Sequence, residues 1–204
     1  LIEAGLLIRP DDGMSYDRFR GRITFPITDR RGRVIAFGAR ILGDGTPKYL
    51  NSPDTPLFSK GRVLYGMATA QRAARDAGRV IVTEGYMDVI ALAKAGIVES
   101  VAPLGTALTE SQMHELWGMT PEPLLCFDGD DAGQRAAWRA AERALPLLEP
   151  GRSLRFVMLP TGEDPDSLIV ARGTSAFEVL IERAKPLVDV IWDVEAARHQ
   201  LDTP

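Results

Sequence analysis

Cysteine occurs once, at Cys126, and histidine only twice, at His114 and His199. A single thiol excludes an internal disulfide. One thiol and two separated imidazoles also fall short of the four ligands of a structural zinc site, so no zinc is expected within these residues. No apolar run approaches the ~20 residues that carry a helix across a bilayer, and no basic-then-apolar leader opens the chain. Low-complexity tracts and internal repeats are missing too, so nothing suggests disorder or a solenoid. An intracellular, reducing setting without a membrane partner is the resulting expectation. The first residue is Leu rather than Met, which suggests a piece of a longer protein.

With 204 residues, 45% of them apolar, the chain can build one good core, or a core and a smaller satellite. Its net charge of −4 hides an asymmetry. Residues 1–62 carry 11 Lys/Arg against 7 Asp/Glu, whereas residues 63–204 carry 13 against 21. Between Arg18 and Arg62 the bias sharpens to 10 basic residues against Asp29, Asp44 and Asp54. A basic segment joined to an acidic one suits a protein that holds a phosphate polymer with one part and cations with the other, though an ordinary solvated face has the same composition.

Periodicity divides the chain. ITFPIT and VIAFGARIL flank DRRG, which predicts a hairpin with Gly32 at a positive φ and with Pro26 on an edge strand. Residues 44–66, rich in Gly and Pro, read as a long ordered loop. From residue 67 helices alternate with short apolar strands: MATAQRAARDA, RVIVTE, YMDVIALAKAG, ESVAPL, TESQMHELWG, LLCFD, AGQRAAWRAAERALPLL and SLRFVML. Thr109 and Gln112 form a capping-box pattern. Strands buried on both faces and alternating with helices indicate an α/β fold with an open, mainly parallel four-stranded sheet. We divide the chain into a smaller basic α+β part (1–66), an α/β module (67–175) and the start of a helical bundle (176–204). Cys126, Trp117, Trp138 and Trp192 read as packing residues and His114 as a surface helix residue.

Three acidic pairs fall at the carboxyl ends of strands, the edge where open α/β sheets carry their sites: Glu84 with Asp88, Asp128 with Asp130, and Asp164 with Asp166. Six carboxylates so placed repel one another unless a cation lies among them. Mg²⁺ or Mn²⁺ fits, because such ions take hard oxygen ligands and share them with substrate phosphates. On this reading Glu84 and Asp88 share a face of a helix start, Asp128 and Asp130 point the same way from an extended chain, and Gly129 clears room for a phosphate.

EGYMDV, FDGDDAG and EDPDSL, in that order and spacing, resemble the TOPRIM module shared by topoisomerases, primases and some nucleases. With RFRGRITFPITDRRGRVIAFGAR, TPKYLNSPDTPLFSKGRVLYG and APLGTALT, the likeness is to the catalytic core of bacterial replicative DNA primases, from about Arg18 to about Gly173. The resemblance implies a nucleotidyltransferase that makes short RNA primers from ribonucleoside triphosphates on single-stranded DNA, in the bacterial cytoplasm at the replication fork. It points to Glu84, Asp128 and Asp130 as catalytic and metal-binding, with Glu84 either a ligand or a proton acceptor. It makes Asp88, Asp164 and Asp166 the rest of the metal site. Arg40, Lys48, Tyr49, Asn51 and Lys60, with Arg18, Arg20 and Arg22, match a basic groove for template and nucleotide.

On the residues alone, Tyr49 suits either stacking on a base or packing under the loop, and Asn51 could simply form a turn. The family's zinc-binding domain and the domain that docks the replicative helicase lie outside these residues. Weak or no unaided synthesis by the isolated piece follows. The alternative is a TOPRIM DNA-binding, nuclease or topoisomerase-type module that makes no primers. A haloacid-type phosphatase is disfavoured because a glutamate leads here and the Asp pair follows later.

Overall fold

A computed structural model of the chain describes residues 1–105 and 107–198. Strands β1 (Leu7–Ile8) and β2 (Tyr16–Asp17) form a small antiparallel ladder, and β3 (Arg22–Thr28), β4 (Val34–Ile41) and β5 (Tyr49–Asn51) a three-stranded antiparallel sheet in that order. The hairpin between β3 and β4 is the expected one. Gly32 has φ 79°, Pro26 lies on the edge strand, and the Asp29 carboxylate accepts hydrogen bonds from the backbone N–H groups of Arg31 and Arg33 at 2.9 and 3.0 Å. Residues 52–66 are largely irregular and carry only isolated bridges, Thr55 with Phe58 and Tyr65 with Ala102.

Helices and strands then alternate: α1 (Met67–Ala77), β6 (Ile81–Val82), α2 (Tyr86–Lys94), β7 (Ser100–Val101), α3 (Glu110–Trp117), β8 (Leu124–Phe127), α4 (Asp131–Ala144), β9 (Arg155–Met158), α5 (Pro165–Arg172), α6 (Thr174–Glu182), β10 (Lys185–Pro186) and α7 (Leu187–Arg198). Strands β7, β6, β8 and β9 are the four parallel strands that the pattern predicts. A fifth, β10, adds an antiparallel edge beside β9 that the pattern does not reveal, because Lys185–Pro186 is too short to show alternation. Residues 176–198 of the expected bundle thus supply most of α6, then β10 and α7, against this sheet, and residues 199–204 lie outside the described residues.

Side chains alternate across the strands, so one face buries Val82, Leu125 and Phe156 under α1, α3, α4 and α7. The other face buries Ile81, Leu124, Cys126 and Val157 under α2, α5 and α6. The alanines of α4 (Ala137, Ala140, Ala141, Ala144) let that helix lie close to the sheet. Trp117 packs as expected, its indole N–H donating to the Ser153 carbonyl at 2.8 Å. Trp192 does not pack: it is 66% exposed, on the outward side of α7.

A third core, of Ile27, Ala36, Phe58, Tyr86 and Leu104, joins the small sheet to the α/β module. Tyr86, the first residue of α2, is its hub. Its ring lies 4.9 Å from Phe25, 5.5 Å from Tyr65 and 5.6 Å from Tyr49, and its hydroxyl donates to the Ala39 carbonyl at 3.1 Å. Gly38 allows this approach, since a Cβ there would stand 3.0 Å from Tyr86 Cε1. The segment 59–63 is pinned separately: fully buried Gln112 donates to the carbonyls of Lys60 and Val63, and the Thr109 hydroxyl donates to that of Gly61 at 2.6 Å.

Candidate active site

The carboxyl ends of β6, β8 and β9 deliver the acidic residues to one edge. Glu84 stands in the turn between β6 and α2, just ahead of the N-cap Gly85. Asp88 lies one turn into the helix, its Oδ2 accepting from the Gly85 N–H at 3.1 Å. The two therefore do not share a helix face, contrary to the spacing argument, because Glu84 precedes the helix. Asp128 follows β8 directly, and its backbone N–H donates to Glu84 Oε1 at 3.0 Å, tying two strand ends together. Asp130 caps α4, with Oδ1 accepting from Gly133 N–H at 2.7 Å, and Asp164 caps α5 in the same way through Ser167 N–H at 2.7 Å. Asp166 is exposed in the first turn of α5.

Four of the six carboxylates thus spend one oxygen on a backbone N–H. The second oxygen of each accepts no hydrogen bond among the described residues, and neither Asp128 nor Asp166 spends either oxygen. No Lys or Arg among the described residues forms an ion pair with any of the six. The cost appears in their acidities. Burial, then the charges of Glu84, Asp88, Asp164 and Asp130, push Asp128 up to about 7. Burial, opposed by the Gly85 hydrogen bond and reinforced by Asp164, Glu84 and Asp166, pushes Asp88 up to about 6. Burial, then the charges of Asp88, Asp128 and Glu84, push the Cys126 thiol up as well.

A divalent ion fits this donor set: hard oxygens, held by the backbone, with unrelieved mutual repulsion. Among the described residues no group of three or more Asp, Glu, His or Cys side chains is gathered to hold a metal ion, so the fit is one of donor type and charge and not of a formed cage.

The glycines of this edge have another use than the sequence suggests. A Cβ on Gly129 would fall 1.8 Å from the Pro160 carbonyl oxygen, so the space beside it belongs to the β9–α5 turn and not to a phosphate. The Gly129 N–H donates to Glu163 O at 3.0 Å, locking that turn against β8. Gly133 brings the start of α4 onto Asp128, where a Cβ would stand 2.1 Å from the Asp128 carbonyl oxygen. Sequence reasoning misses Gly133, although a glycine three residues beyond Asp130, inside a helix, is itself a signal of close approach.

The basic residues divide. Phe25, Gly38 and Asn51 stand opposite one another in register, as do Ile23, Arg40 and Tyr49. Alternation puts all of these on the sheet face that meets Tyr86. Tyr49 is 41% exposed, edge-on to Tyr86, with the Arg40 guanidinium 5.7 Å and the Lys48 ammonium 5.8 Å from its ring centroid. Packing and an open face are therefore combined in one side chain. Asn51 is committed elsewhere: its Nδ2 donates to the Leu104 carbonyl at 3.0 Å, joining β5 to the loop after β7, while its Oδ1 is buried without a partner. Arg22 donates to the Lys48 carbonyl at 3.4 Å, Arg20 covers the Tyr16 ring at 4.5 Å, and Arg18 has a buried Nε without a partner. Lys60 is half-buried on the loop before α1, and no hydrogen bond, ion pair or ring contact among the described residues joins its side chain to the others.

A family model described as the N-terminal domain of the DNA primase catalytic core matches residues 1–71, and a Toprim domain model matches residues 78–157. The DNA primase of Escherichia coli strain K12 is 52% identical over 204 residues, covering 100% of this chain and 35% of that protein, so the chain spans about a third of its length. The structure of a DnaG primase catalytic domain bound to single-stranded DNA aligns with a TM-score of 0.91 at 51% identity, covering 100% of this chain and 63% of that one. The RNA polymerase domain of Mycobacterium tuberculosis primase DnaG aligns with a TM-score of 0.84 at 32% identity, covering 100% of this chain and 72% of that one.

Proposed function

Because the chain belongs to the DNA primase catalytic-core family, we propose that it forms the nucleotidyl-transfer centre of an enzyme that synthesises short RNA primers on single-stranded DNA. The observation that carries the reading is the division of oxygens at the acidic edge: each of four carboxylates is oriented by a backbone N–H and keeps an oxygen for a ligand. Such a set is preorganised for cations and phosphate, since no side chain has to be ordered when they bind.

Glu84, Asp128 and Asp130 are the residues proposed to hold Mg²⁺ or Mn²⁺, with Asp88, Asp164 and Asp166 completing the acidic field. The bound ion would neutralise charge on the transferring phosphate and favour ionisation of the attacking hydroxyl. Glu84 orients Asp128 through its backbone, and its other oxygen faces the site as a ligand or a proton acceptor. Arg40 and Lys48 supply charge for template phosphates, and the open face of Tyr49 offers a base a surface to stack on, tolerant of sequence. Asn51 acts by holding the loop after β7 against the basic sheet, and Lys60, Arg18, Arg20 and Arg22 contribute to the positive field. Among the described residues no helix is long and apolar enough to cross a membrane; the proposed place of action, taken from the family, is the cytoplasm at the replication fork. Ribonucleoside triphosphates are the proposed substrates. A replicative helicase is a proposed partner through a region outside these residues.

The test is Asp128→Asn in the full-length protein. Incorporation of ribonucleotides on single-stranded template is expected to fall to background while the thermal midpoint stays at or above that of the parent, since a repelled charge is removed. Retained incorporation would remove the acidic edge from the reaction.

A further inference from the structure

Backbone hydrogen bonds tie the ends of three strands into one frame. The Asp128 N–H on Glu84 joins β6 to β8, and Gly129, between Asp128 and Asp130, joins β8 to the turn after β9 with both of its backbone groups. Its N–H donates to the Glu163 carbonyl at 3.0 Å, and its carbonyl accepts from the Gly162 N–H at 3.1 Å. Glu163 therefore stands where the Asp128–Asp130 pair is fastened to the segment that carries Asp164 and Asp166.

The Glu163 side chain differs from the six carboxylates of the edge. Its Oε2 accepts from the Ser167 hydroxyl and its Oε1 lies 3.7 Å from the Arg172 guanidinium, so both oxygens are taken and the charge is paired. Ser167 in turn closes the start of α5. Its N–H donates to Asp164 Oδ1 at 2.7 Å, and its hydroxyl oxygen accepts from the Asp164 N–H at 3.0 Å. It occupies the position where a capping box commonly carries Glu or Gln. A carboxylate at that position would only accept hydrogen bonds and would add one more charge to a crowded edge, whereas a hydroxyl is neutral and accepts and donates at once. Serine thus passes the contact from the Asp164 backbone to Glu163 without adding to the repulsion.

We propose that Glu163 and Ser167 are positioning residues for the acidic edge, an inference that rests on the nucleotidyl-transfer reading above. The Glu163 carbonyl fixes Gly129, its carboxylate fixes the Ser167 hydroxyl, and Ser167 fixes the rotation of Asp164. The free oxygens of Asp128, Asp130 and Asp164 are in this way held at one spacing before a cation arrives. Groups that hold a metal ligand from behind lower metal affinity when they are removed, because the ligand must then be ordered as the ion binds. Neither residue touches the ion or the substrate in this role.

The test compares Ser167→Ala, which removes the hydroxyl, with Ser167→Thr, which keeps it, in the full-length protein. Manganese binding is followed by electron paramagnetic resonance. Ribonucleotide incorporation on single-stranded template is measured against manganese concentration, and against nucleotide concentration at saturating manganese. Ser167→Ala is expected to weaken manganese binding about tenfold and to raise the half-saturating manganese concentration for incorporation in step. The KM for nucleotide at saturating manganese stays at the parent value, and Ser167→Thr restores the manganese dependence. A loss of fold stability alone lowers the thermal midpoint without moving the affinity of the folded protein, so it does not imitate this result. Unchanged manganese affinity in Ser167→Ala, or a loss that Ser167→Thr does not restore, overturns the positioning proposal, and the proposed function stands if Asp128→Asn still abolishes synthesis. If Asp128→Asn is active, both fall.

Discussion

Asp128 concentrates the electrostatics of the site. Its pKa, pushed up to about 7 from an ordinary value of 3.8, reflects burial first and four neighbouring carboxylates second. Between those two values the folded chain retains a proton that the unfolded chain has lost. Stability of the metal-free protein therefore falls as pH rises from about 4 to about 7 and levels off above. Asp88, pushed up to about 6, contributes in the same direction over a narrower window. Urea midpoints in the presence of a chelator are expected to be lower at about pH 8 than at about pH 5, and Asp128→Asn should flatten the difference. An unchanged pH slope in the variant would show that Asp128 is not the strained group. Added Mg²⁺ should stabilise more at the higher pH, where it no longer competes with protons. The gathering of these carboxylates at strand ends was legible in the sequence. The use of each oxygen was not, because capping depends on where a helix starts to within one residue.

At the scale of elements, the motif EGYMD does more than its carboxylates suggest. Tyr86 sits between the two acidic residues and fills the third core, with rings of three strands or loops around it and its hydroxyl on Ala39. Tyr86→Ala is expected to cost ~3–5 kcal/mol in equilibrium unfolding. Tyr86→Phe, which loses only the hydrogen bond, is expected to cost about 1 kcal/mol. An alanine variant as stable as the phenylalanine one would mean that the aromatic cluster is not what joins the two parts. The strands and helices of the α/β module were readable because apolar runs of four to six residues alternate with helical stretches. The edge strand β10, and the role of Tyr86, were not readable, since both are decided by partners distant in sequence. The same applies to Gln112, which reads as a capping residue and also pins the loop at Lys60 and Val63.

Across the whole molecule, the charge asymmetry of the sequence becomes a geometry: one sheet face runs from the buried Ile27 and Ala36 to the open Arg40 and Tyr49, beside the acidic edge. If that face holds template phosphates, Lys48→Ala in the full chain should weaken single-strand binding and reduce the slope of log affinity against log salt by about 0.7, the share of one phosphate contact. A slope identical to that of the parent would exclude Lys48 from phosphate binding. Glu84, Tyr86 and Asp88 occupy alternate places in five residues, and only the outer two are proposed to take part in the chemistry. The α/β module is therefore not an interchangeable cassette. Splicing a catalytic module from another enzyme onto this basic sheet would leave a hole at its centre unless the donor carried a large ring in the middle of that five-residue word and the sheet kept a glycine opposite it, at Gly38.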